Sequence, residues 1–464
     1  MNLANIKYAY FLGIGGIGMS AIARYFNHIG VQVWGYDKTE TPLTQNLVAE
    51  GISIHYTEDL NLLQALPIST QNTLVVLTPA IPKAHQEWAW FIQKQFTIQK
   101  RAEVLGILSQ SSLTIGIAGT HGKTTTSCLL AHLLTQSSIK CNAFLGGIAS
   151  NYDSNLLLHP QADSLPLNKQ FTVVEADEFD RSFLTLTPYF AAITSTDADH
   201  LDIYGNHSEM QESFLAYANK LRSDGTLLVK YDLGIIAQLS GNFKTYGLNP
   251  NAQIYAHNIR INEAEHLFDL VLENGVIIEN LSLGIPGLHN VENAVAASAI
   301  ALMCGVNEEE LRFGLMSFKG VKRRFEYRIK NEKQVFIDDY AHHPTEIRAI
   351  LNSVKKMYPH KKLVVAFQPH LFSRTRDFMD EFADSLSLAD AVYLLPIYPA
   401  RELPIEGVNS DLLLDKISCK EKALLDKPSL IDKIVGLNPE LFVCLGAGDI
   451  DALVQPIERG LLNR

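Results

Sequence analysis

The chain is poor in cysteine, and that shortage excludes several kinds of protein at once. Its five thiols in 464 residues, Cys128, Cys141, Cys304, Cys419 and Cys444, are odd in number, widely spread and never arranged as CxxC. Neither a disulfide framework nor a structural zinc site follows from such spacing, and a reducing compartment is expected. No run approaches the roughly 20 apolar residues needed to span a bilayer. The opening MNLANIKYAYFLGIGG has no basic region, long apolar stretch or small-residue cleavage site, so a cytoplasmic protein with no membrane attachment is the expectation. Positive charge is scarce too, with 39 Lys and Arg against 50 Asp and Glu and a net charge of −11. A surface that tracks nucleic-acid phosphates needs clustered cations, so no nucleic-acid partner is expected and any anionic ligand must be met locally. Repeats of solenoid period and low-complexity segments are also missing.

What remains is an ordinary soluble composition, 47% hydrophobic and 19% charged, and a length that predicts about three domains at roughly 150 residues each. Short apolar runs, YAYFLGIG, VQVWGYD and TLVVLTPAI, alternate with helical patterns, including a helix from Met19 to about Ile29. Strands separated by helices in this way predict a doubly wound parallel sheet. QKRAEVL reads as a basic, polar patch before a new apolar run, and the first limit falls just after it. The expected division is 1–107, a Rossmann-like α/β domain; 108–321, a central P-loop ATPase-type α/β domain; and 322–464, a Rossmann-like α/β domain. Within the second, turn signals at Asn249-Pro250, Asn274-Gly275 and Pro286-Gly287 predict a meander, followed by a helix from about His289 to Cys304.

The strongest motif is GIAGTHGKTTT, from Gly116 to Thr126, between an apolar strand and a helix. Glycines at 119 and 122 let successive N–H groups and the helix N-terminus face phosphate oxygens. Lys123 adds a point charge, and the Thr124 hydroxyl is within reach of a Mg²⁺ ion held by those phosphates. Ile117 stands where the first glycine of GxxxxGK[ST] belongs. At the start of the chain Gly13, Gly15, Gly16 and Gly18, with Asp37 ending the next strand, match the dinucleotide fingerprint. NAD, FAD or a UDP-sugar satisfies that pattern equally, as does tight strand-to-helix packing with no ligand.

Acidic residues follow two further strands. Glu175, Asp177 and Glu178 stand where a nucleotide site places a carboxylate for Mg²⁺, although strand ends also carry solvated acids of no such purpose. Asp197, Asp199 and His200 follow the strand YFAAITS and add an imidazole at the same sheet edge. His289 and Asn290 open a helix, where Asn290 offers both a donor and an acceptor to a base edge or simply caps the turn. Lys322-Arg323-Arg324 lies where the second domain hands over to the third. Beyond two strand ends of the third domain lie DDYAHHP, Asp338 to Pro344, and QPHLFSRT, Gln368 to Thr375, on the edge where open α/β sheets bind ligands.

The ordered set GIGGIGMS, AGTHGKTTT, VVEADEFDRSF, DADHLD, PGLHNVEN, KRRFE, DDYAHHPTE and FQPHLFSRTRD resembles the muramyl ligase family over nearly the whole chain. The GIGGIGMS opening, with DDYAHHP and FQPH…SRTRD, is similar to the member that adds the first amino acid. The resemblance implies ATP-dependent joining of L-alanine to the lactyl carboxylate of UDP-N-acetylmuramic acid through an acyl phosphate, with ATP and Mg²⁺ required, by a monomer or homodimer. It also implies roles. The UDP-sugar falls to Gly13, Gly15, Gly16, Gly18, Asp37, Thr78 and His121. ATP falls to Gly119, Thr120, His121, Gly122, Lys123, Thr124, Thr125, His289, Asn290, Arg324 and Asp339. Thr124, Glu175 and His200 resemble metal ligands, and Lys123, Arg324, His200 and Glu175 the catalytic set. Tyr340, His342, His370 and Arg374 resemble the amino-acid pocket.

Two departures bear on those roles. Later-acting sister ligases carry a carbamylated lysine where this chain has Phe214, so no carbamate is expected. Leu371 replaces an arginine that some alanine-adding members carry, which leaves Arg374 for the alanine carboxylate. The nearest alternative is the recycling ligase that attaches a ready-made murein tripeptide to the same UDP-sugar. From another class, an NAD-dependent oxidoreductase explains Gly13 to Gly18 and Asp37 but leaves the P-loop idle.

Overall fold

The computed structural model describes residues 6–160, 166–197, 204, 206–262, 265–400 and 402–463, whose strands form three sheets. The first contains β1 (Tyr8–Leu12), β2 (Gln32–Tyr36), β3 (Ser53–His55), β4 (Thr73–Leu77) and β5 (Ile98–Lys100). All are parallel, in the order β3-β2-β1-β4-β5. Strand β1 is apolar throughout because both its faces are covered: Ala9 and Phe11 enter one core, Tyr10 and Leu12 another. Helices α1 (Ile17–His28), α2 (Pro42–Ala49), α3 (Leu60–Ala65), α4 (Gln86–Gln93) and α5 (Arg101–Gln110) connect the strands. Thr41 caps α2 by accepting from the Thr44 N–H, and Pro42 at the first helical position needs no partner for a missing N–H. Strand order reverses between β1 and β4, which opens a crevice beyond the carboxyl end of β1.

Two expectations change here. Helix α1 begins at Ile17, two residues before Met19, because Gly18 is helical and stands under the Arg101 side chain. QKRAEVL is part of two regular elements: Gln99 and Lys100 belong to β5 and the rest to α5, so the limit set at 107 falls inside a helix.

The second sheet contains β6 (Leu113–Ala118), β7 (Asn142–Ala149), β8 (Ser154–Leu157), β9 (Phe171–Glu175), β10 (Phe190–Ile193), β11 (Thr226–Lys230), β12 (Phe243–Gly247), β13 (Ile254–Asn262), β14 (Glu265–Val271) and β15 (Ile277–Leu283). Its order is β15-β14-β13-β12-β11-β10-β6-β9-β7-β8. Central β6 pairs in parallel with β10 and β9, so the ends of these three strands lie side by side. Helices α6 (Lys123–Gln136), α7 (His207–Ala218), α8 (Leu288–Met303) and α9 (Glu308–Ser317) complete this region. Neighbouring β13, β14 and β15 form the expected meander, with Gly275 in a left-handed turn.

The third sheet contains β16 (Glu326–Lys330), β17 (Val335–Asp339), β18 (Leu363–Phe367), β19 (Ala391–Leu394), β20 (Glu421–Leu424) and β21 (Leu441–Leu445), in the order β16-β17-β21-β18-β19-β20. Only β16 is antiparallel to its neighbour. Strands β17 and β18 flank β21, so DDYAHHP and QPHLFSRT leave the same edge one strand apart. Helices α10 (Pro344–Met357), α11 (Phe372–Asp377), α12 (Met379–Leu386), α13 (Ser410–Lys416), α14 (Lys427–Leu437) and α15 (Asp451–Leu462) surround this sheet.

The chain divides into two compact units, one of Met1–Asn258, Phe268–Leu281 and Glu292–Phe318, the other of Ile259–Leu267, Ser282–Val291 and Lys319–Arg464. Within the first, a continuous apolar cluster runs from Phe11 and Phe26 through Phe144 and Leu156 to Phe183, Phe214 and Tyr217. Phe214 lies edge-on to Phe183 in this core. Among the described residues no helix is long and apolar enough to cross a membrane.

On α6, His132 is buried between Tyr152 Oη at 2.9 Å and Ser317 Oγ at 3.0 Å. Burial pushes its pKa down from 6.5 to about 4. Between those values the unfolded chain takes up a proton that the folded chain refuses. Stability is therefore whole above about pH 6.5 and declines as pH falls toward 4, by up to about 3 kcal/mol. His132→Gln is expected to flatten this stretch of the pH–stability curve, as measured by urea unfolding at a series of pH values.

Candidate active site

Between β6 and α6 the backbone turns through Gly119 (φ +135°) and Gly122 (φ +81°), conformations that L side chains rarely adopt. Space is as restrictive as conformation. A Cβ on Gly119 would lie 2.2 Å from Thr194 Oγ1, and one on Gly122 2.6 Å from Asn293 Oδ1. Thr194 Oγ1 donates to the His121 carbonyl at 2.5 Å, and the Thr120 N–H donates to the Ser195 carbonyl, which fastens the turn to the segment that leaves β10. His121 Nε2 lies 3.5 Å from Asp197 Oδ2. Thr125 is buried in the first turn of α6.

Lys123 folds back over this turn. Its Nζ donates to the Gly119 carbonyl at 2.6 Å and to Glu178 Oε1 at 2.9 Å. Burial alone would lower its pKa, but Glu178, Asp177 and Glu175 outweigh that effect and hold it above the ordinary lysine value. The ammonium is therefore charged at neutral pH, held by the carboxylates around it. Thr124 Oγ1 donates to Glu175 Oε1 at 3.2 Å, which pairs two hard oxygen donors at the end of β9. Gly146 makes room for this carboxylate, since a Cβ there would come within 2.2 Å of Glu175 Oε2.

The N-terminal glycine turn is equally close. A Cβ on Gly13 (φ +86°) would strike Thr78 Cγ2 at 2.4 Å, and one on Gly15 would meet Asp37 Oδ2 at 2.8 Å. Asp37 Oδ2 accepts the Gly15 N–H at 2.7 Å. A cleft of about 250 Å³ joins this turn to the second sheet: Gly16, Gly18, Thr78 and Arg101 line one side, Phe144, Gly146, Glu175 and Asp177 the other. Arg101 Nη2 lies 3.6 Å from Asp177 Oδ2, too far for a hydrogen bond, so the guanidinium keeps donors for an anion in the cleft.

In the second unit, Asn290 Nδ2 donates to the Pro286 carbonyl at 2.5 Å. His289 stacks against Gly287 and has its pKa lowered to about 4 by burial, then by His266 and Arg324, so its imidazole is neutral. Arg324 lies over the Tyr340 ring at 5.2 Å with Nη1 3.8 Å from Glu346 Oε1. Asp339 accepts from the Phe325 and Ala341 N–H groups at 2.7 Å, and burial raises its pKa to about 6 against the pull of Arg324. The rings of Tyr340, His342 and His370 follow one another at 5.1 and 5.9 Å, and His370 stacks on Tyr398 at 5.7 Å. Arg374 is buried on α11, whose N-cap Leu371 has φ +71°, a strained conformation for a branched side chain.

Within the first unit, then, the structure brings Gly13, Gly15, Gly16, Gly18, Asp37 and Thr78 to one turn, and Gly119 to Thr125 with Glu175 to another, and a cleft lined by Gly16, Gly18 and Thr78 reaches Glu175. Within the second it brings Arg324, Asp339, Tyr340 and His342 together, with His370 next to His342. His200 lies outside the described residues. Sequence reasoning passed over Arg101 and Glu346, and it named Glu178 as a carboxylate for Mg²⁺ where the structure pairs it with Lys123. Arg101 was assigned to a boundary patch, and only its placement over Gly18 gives it a role. Glu346 was legible as the residue four positions after His342, one helical turn away, where its Oε2 accepts the His342 N–H at 3.1 Å.

A strand–glycine–helix turn whose threonine is bonded to Glu175 at one end of the cleft, with a second glycine turn at the other end, is the framework of an ATP-using ligase, and the chain belongs to the Mur ligase family. The model of the family's catalytic domain matches residues 8–112, that of its middle domain 117–301, and that of its glutamate ligase domain 323–447. UDP-N-acetylmuramate–L-alanine ligase from Christiangramia forsetii is 50% identical over 463 residues, 100% of this chain and 99% of that one. The enzyme of the same name from Flavobacterium psychrophilum is 49% identical over 99% of both chains. The crystal structure of UDP-N-acetylmuramate–alanine ligase from Thermotoga maritima superposes with a TM-score of 0.82 at 27% identity, covering 98% of this chain and 100% of that one. A murein peptide ligase from Psychrobacter arcticus shares the fold, with a TM-score of 0.74 at 23% identity and 99% coverage of both.

Gly119→Ala would set a Cβ against Thr194 and the Ser195 N–H in a left-handed conformation, and a loss of about 2–3 kcal/mol is expected. Gly30→Ala, also left-handed (φ +82°) but with nothing within 4 Å, should lose only about 1 kcal/mol. Equilibrium denaturation of both variants checks the difference.

Proposed function

We propose that the chain joins L-alanine to the lactyl carboxylate of UDP-N-acetylmuramic acid at the expense of ATP, a step of peptidoglycan precursor synthesis. The observation that carries this reading is the cleft that runs from the N-terminal glycine turn to Glu175, the carboxylate that accepts from Thr124 of the second glycine turn. Such a cleft suits a diphosphate-linked sugar at one end and a nucleoside triphosphate at the other. The full-length relatives at about half identity, all named as alanine-adding ligases, support the choice of amino acid.

A carboxylate is a poor acyl donor because its leaving group would be an oxide. Attack of the lactyl carboxylate on the ATP γ-phosphate, with release of ADP, converts that oxygen into part of a phosphate. The alanine amine then adds to the acyl carbon, and the tetrahedral species expels phosphate as the amide forms. No side-chain nucleophile is needed. What the chain must do is hold two anions in line and offset their repulsion. Lys123 is already buried and charged at the turn, and contact with the γ-phosphate requires only that it exchange Glu178 for phosphate oxygens. Gly119 to Thr125 supply N–H groups to the phosphates. Thr124 and Glu175 are oxygen donors of the kind Mg²⁺ prefers, with His200 as the further ligand we assign. When bound, the ion would neutralise charge on the phosphate oxygens. His289 and Asn290 are assigned to the adenine, Asp339 to the ribose and Arg324 to the phosphates. Gly13, Gly15, Gly16, Gly18, Asp37, Thr78 and His121 are assigned to the UDP-sugar, and Arg101 joins them as a cation for its anionic groups. Tyr340, His342, His370 and Arg374 are assigned to alanine, whose carboxylate suits the Arg374 guanidinium. The three-domain division at 107 and 321 rests on the three sheets, with the first limit better set at the end of α5.

Lys123→Ala should abolish turnover while circular dichroism stays that of a folded protein. It removes the ammonium beside the buried Glu178 carboxylate, so its melting temperature should fall, and Lys123→Met/Glu178→Gln should recover stability but not activity. For Arg101→Ala, the KM for the UDP-sugar should rise at least about tenfold with the KM for ATP unchanged, since one charge-assisted contact contributes about 1.5–3 kcal/mol. The deciding measurement is phosphate release over a matrix of UDP-sugars and amino-acid acceptors. Release with UDP-N-acetylmuramic acid and alanine is expected; release with a murein tripeptide instead would move the chain to the recycling branch.

A further inference from the structure

The cleft that runs from the N-terminal glycine turn to Glu175 has walls from different sheets, and a buried amide joins them. Asn155 lies on β8, the hairpin partner of β7, which carries the cleft residues Phe144 and Gly146. Its side chain is fully buried. Every hydrogen-bonding direction it uses leads to α1. Nδ2 donates to the Ile17 carbonyl at 2.5 Å and to Ser20 Oγ at 2.9 Å, while Oδ1 accepts from Arg24 Nη1 at 2.5 Å. Ser20 Oγ in turn donates to the Ile17 carbonyl at 2.9 Å. Arg24 is buried and held from its other side by Glu50, with Nε to Oε2 at 2.8 Å and Nη2 to Oε1 at 2.7 Å.

Around these groups the packing is apolar: α1 meets β7 and β8 through Tyr25, whose ring lies 5.5 Å from that of Phe144, and through Leu156. Apolar contact holds two surfaces together but fixes neither their register nor their angle, because it has no direction. Hydrogen bonds do have direction, and a buried amide that loses them carries a desolvation cost. The Ile17 carbonyl belongs to the first turn of α1, immediately beyond Gly16, and Gly16 to Gly18 form the cleft wall.

We infer that Asn155 is a positioning residue for the ligase reaction: it sets the first turn of α1, and with it the sugar-nucleotide end of the cleft, against the strand edge that carries Glu175. The inference rests on the ligase reading above. In-line transfer tolerates little displacement, and a shift on the order of 1 Å at a distance from the chemistry can cost about a hundredfold in rate. Asn155 does not line the cleft, so its effect must appear in how well one bound substrate is aligned with the other.

The test uses the full-length enzyme and three variants. Asn155→Asp keeps the acceptor for Arg24 but loses the donor to α1. Ser20→Ala removes one of the two acceptors on α1, and Arg24→Lys loosens the outer tie while leaving the Asn155 donor intact. Wild-type ligation of alanine to UDP-N-acetylmuramic acid is measured first, and its absence would sink the ligase reading rather than this one. With the wild type active, Asn155→Asp should lower kcat about ten- to a hundredfold and raise the KM for the UDP-sugar. The KM for ATP should stay within about twofold, and Ser20→Ala should show a smaller loss of the same pattern. The fraction of ATP hydrolysed without amide formation should rise in both, a readout that lost stability alone does not move. Arg24→Lys should lower the melting temperature with near-normal kcat. Unchanged kinetics in Asn155→Asp, or losses that track melting temperature and affect both substrates alike, would overturn the assignment.

Discussion

An ammonium ion buried among carboxylates governs the centre of this protein. Lys123 has left water, and its charge is kept by Glu178, Asp177 and Glu175, which more than offset the cost of burial. Those acids stand where they do because β9 lies directly beside β6, and the lysine stands where it does because Gly119 and Gly122 take conformations closed to other residues. The turn is thus folded around a counter-ion of its own. A phosphate that arrives exchanges one anion for another and need not organise the cation afresh, which is the sense in which such a site is preorganised.

The same logic separates what could be read in the sequence from what could not. Strands β1, β4, β6, β17, β18 and β21 are continuous apolar runs ending in glycine or polar clusters, because both faces of each are covered; runs of that kind are conspicuous. Their order along the chain, with helices between, carried the α/β class and the family resemblance. Strands β3, β5, β16 and β20 escaped notice because they are short and half-exposed, with no period to detect. Hairpin β7–β8 was hidden by Gly146 and Gly147, residues that argue against a strand until Glu175 is seen to need the space beside the first of them.

For the candidate site, the glycine turns were legible because their geometry is local: strand, left-handed glycine, helix. Arg101 was not, since its significance is tertiary. In QKRAEVL it is one of several charges, and only the fold sets it over Gly18 at the mouth of a cleft. Glu178 is similar, being one acid in a run of three until Lys123 selects it. The aromatic file of Tyr340, His342, His370 and Tyr398 draws on three separate loops, of which the sequence announced the first two.

Asp37 closes the N-terminal turn by accepting the Gly15 N–H. In a dinucleotide-binding fold a carboxylate at this point is lent to a ribose, and here one of its oxygens also acts as an internal splint. The loop enters the binding encounter already ordered, so little conformational freedom remains to be lost when a sugar nucleotide docks. Residence time at this end of the cleft is then governed by the contacts the newcomer makes and not by slow rearrangement of the glycines.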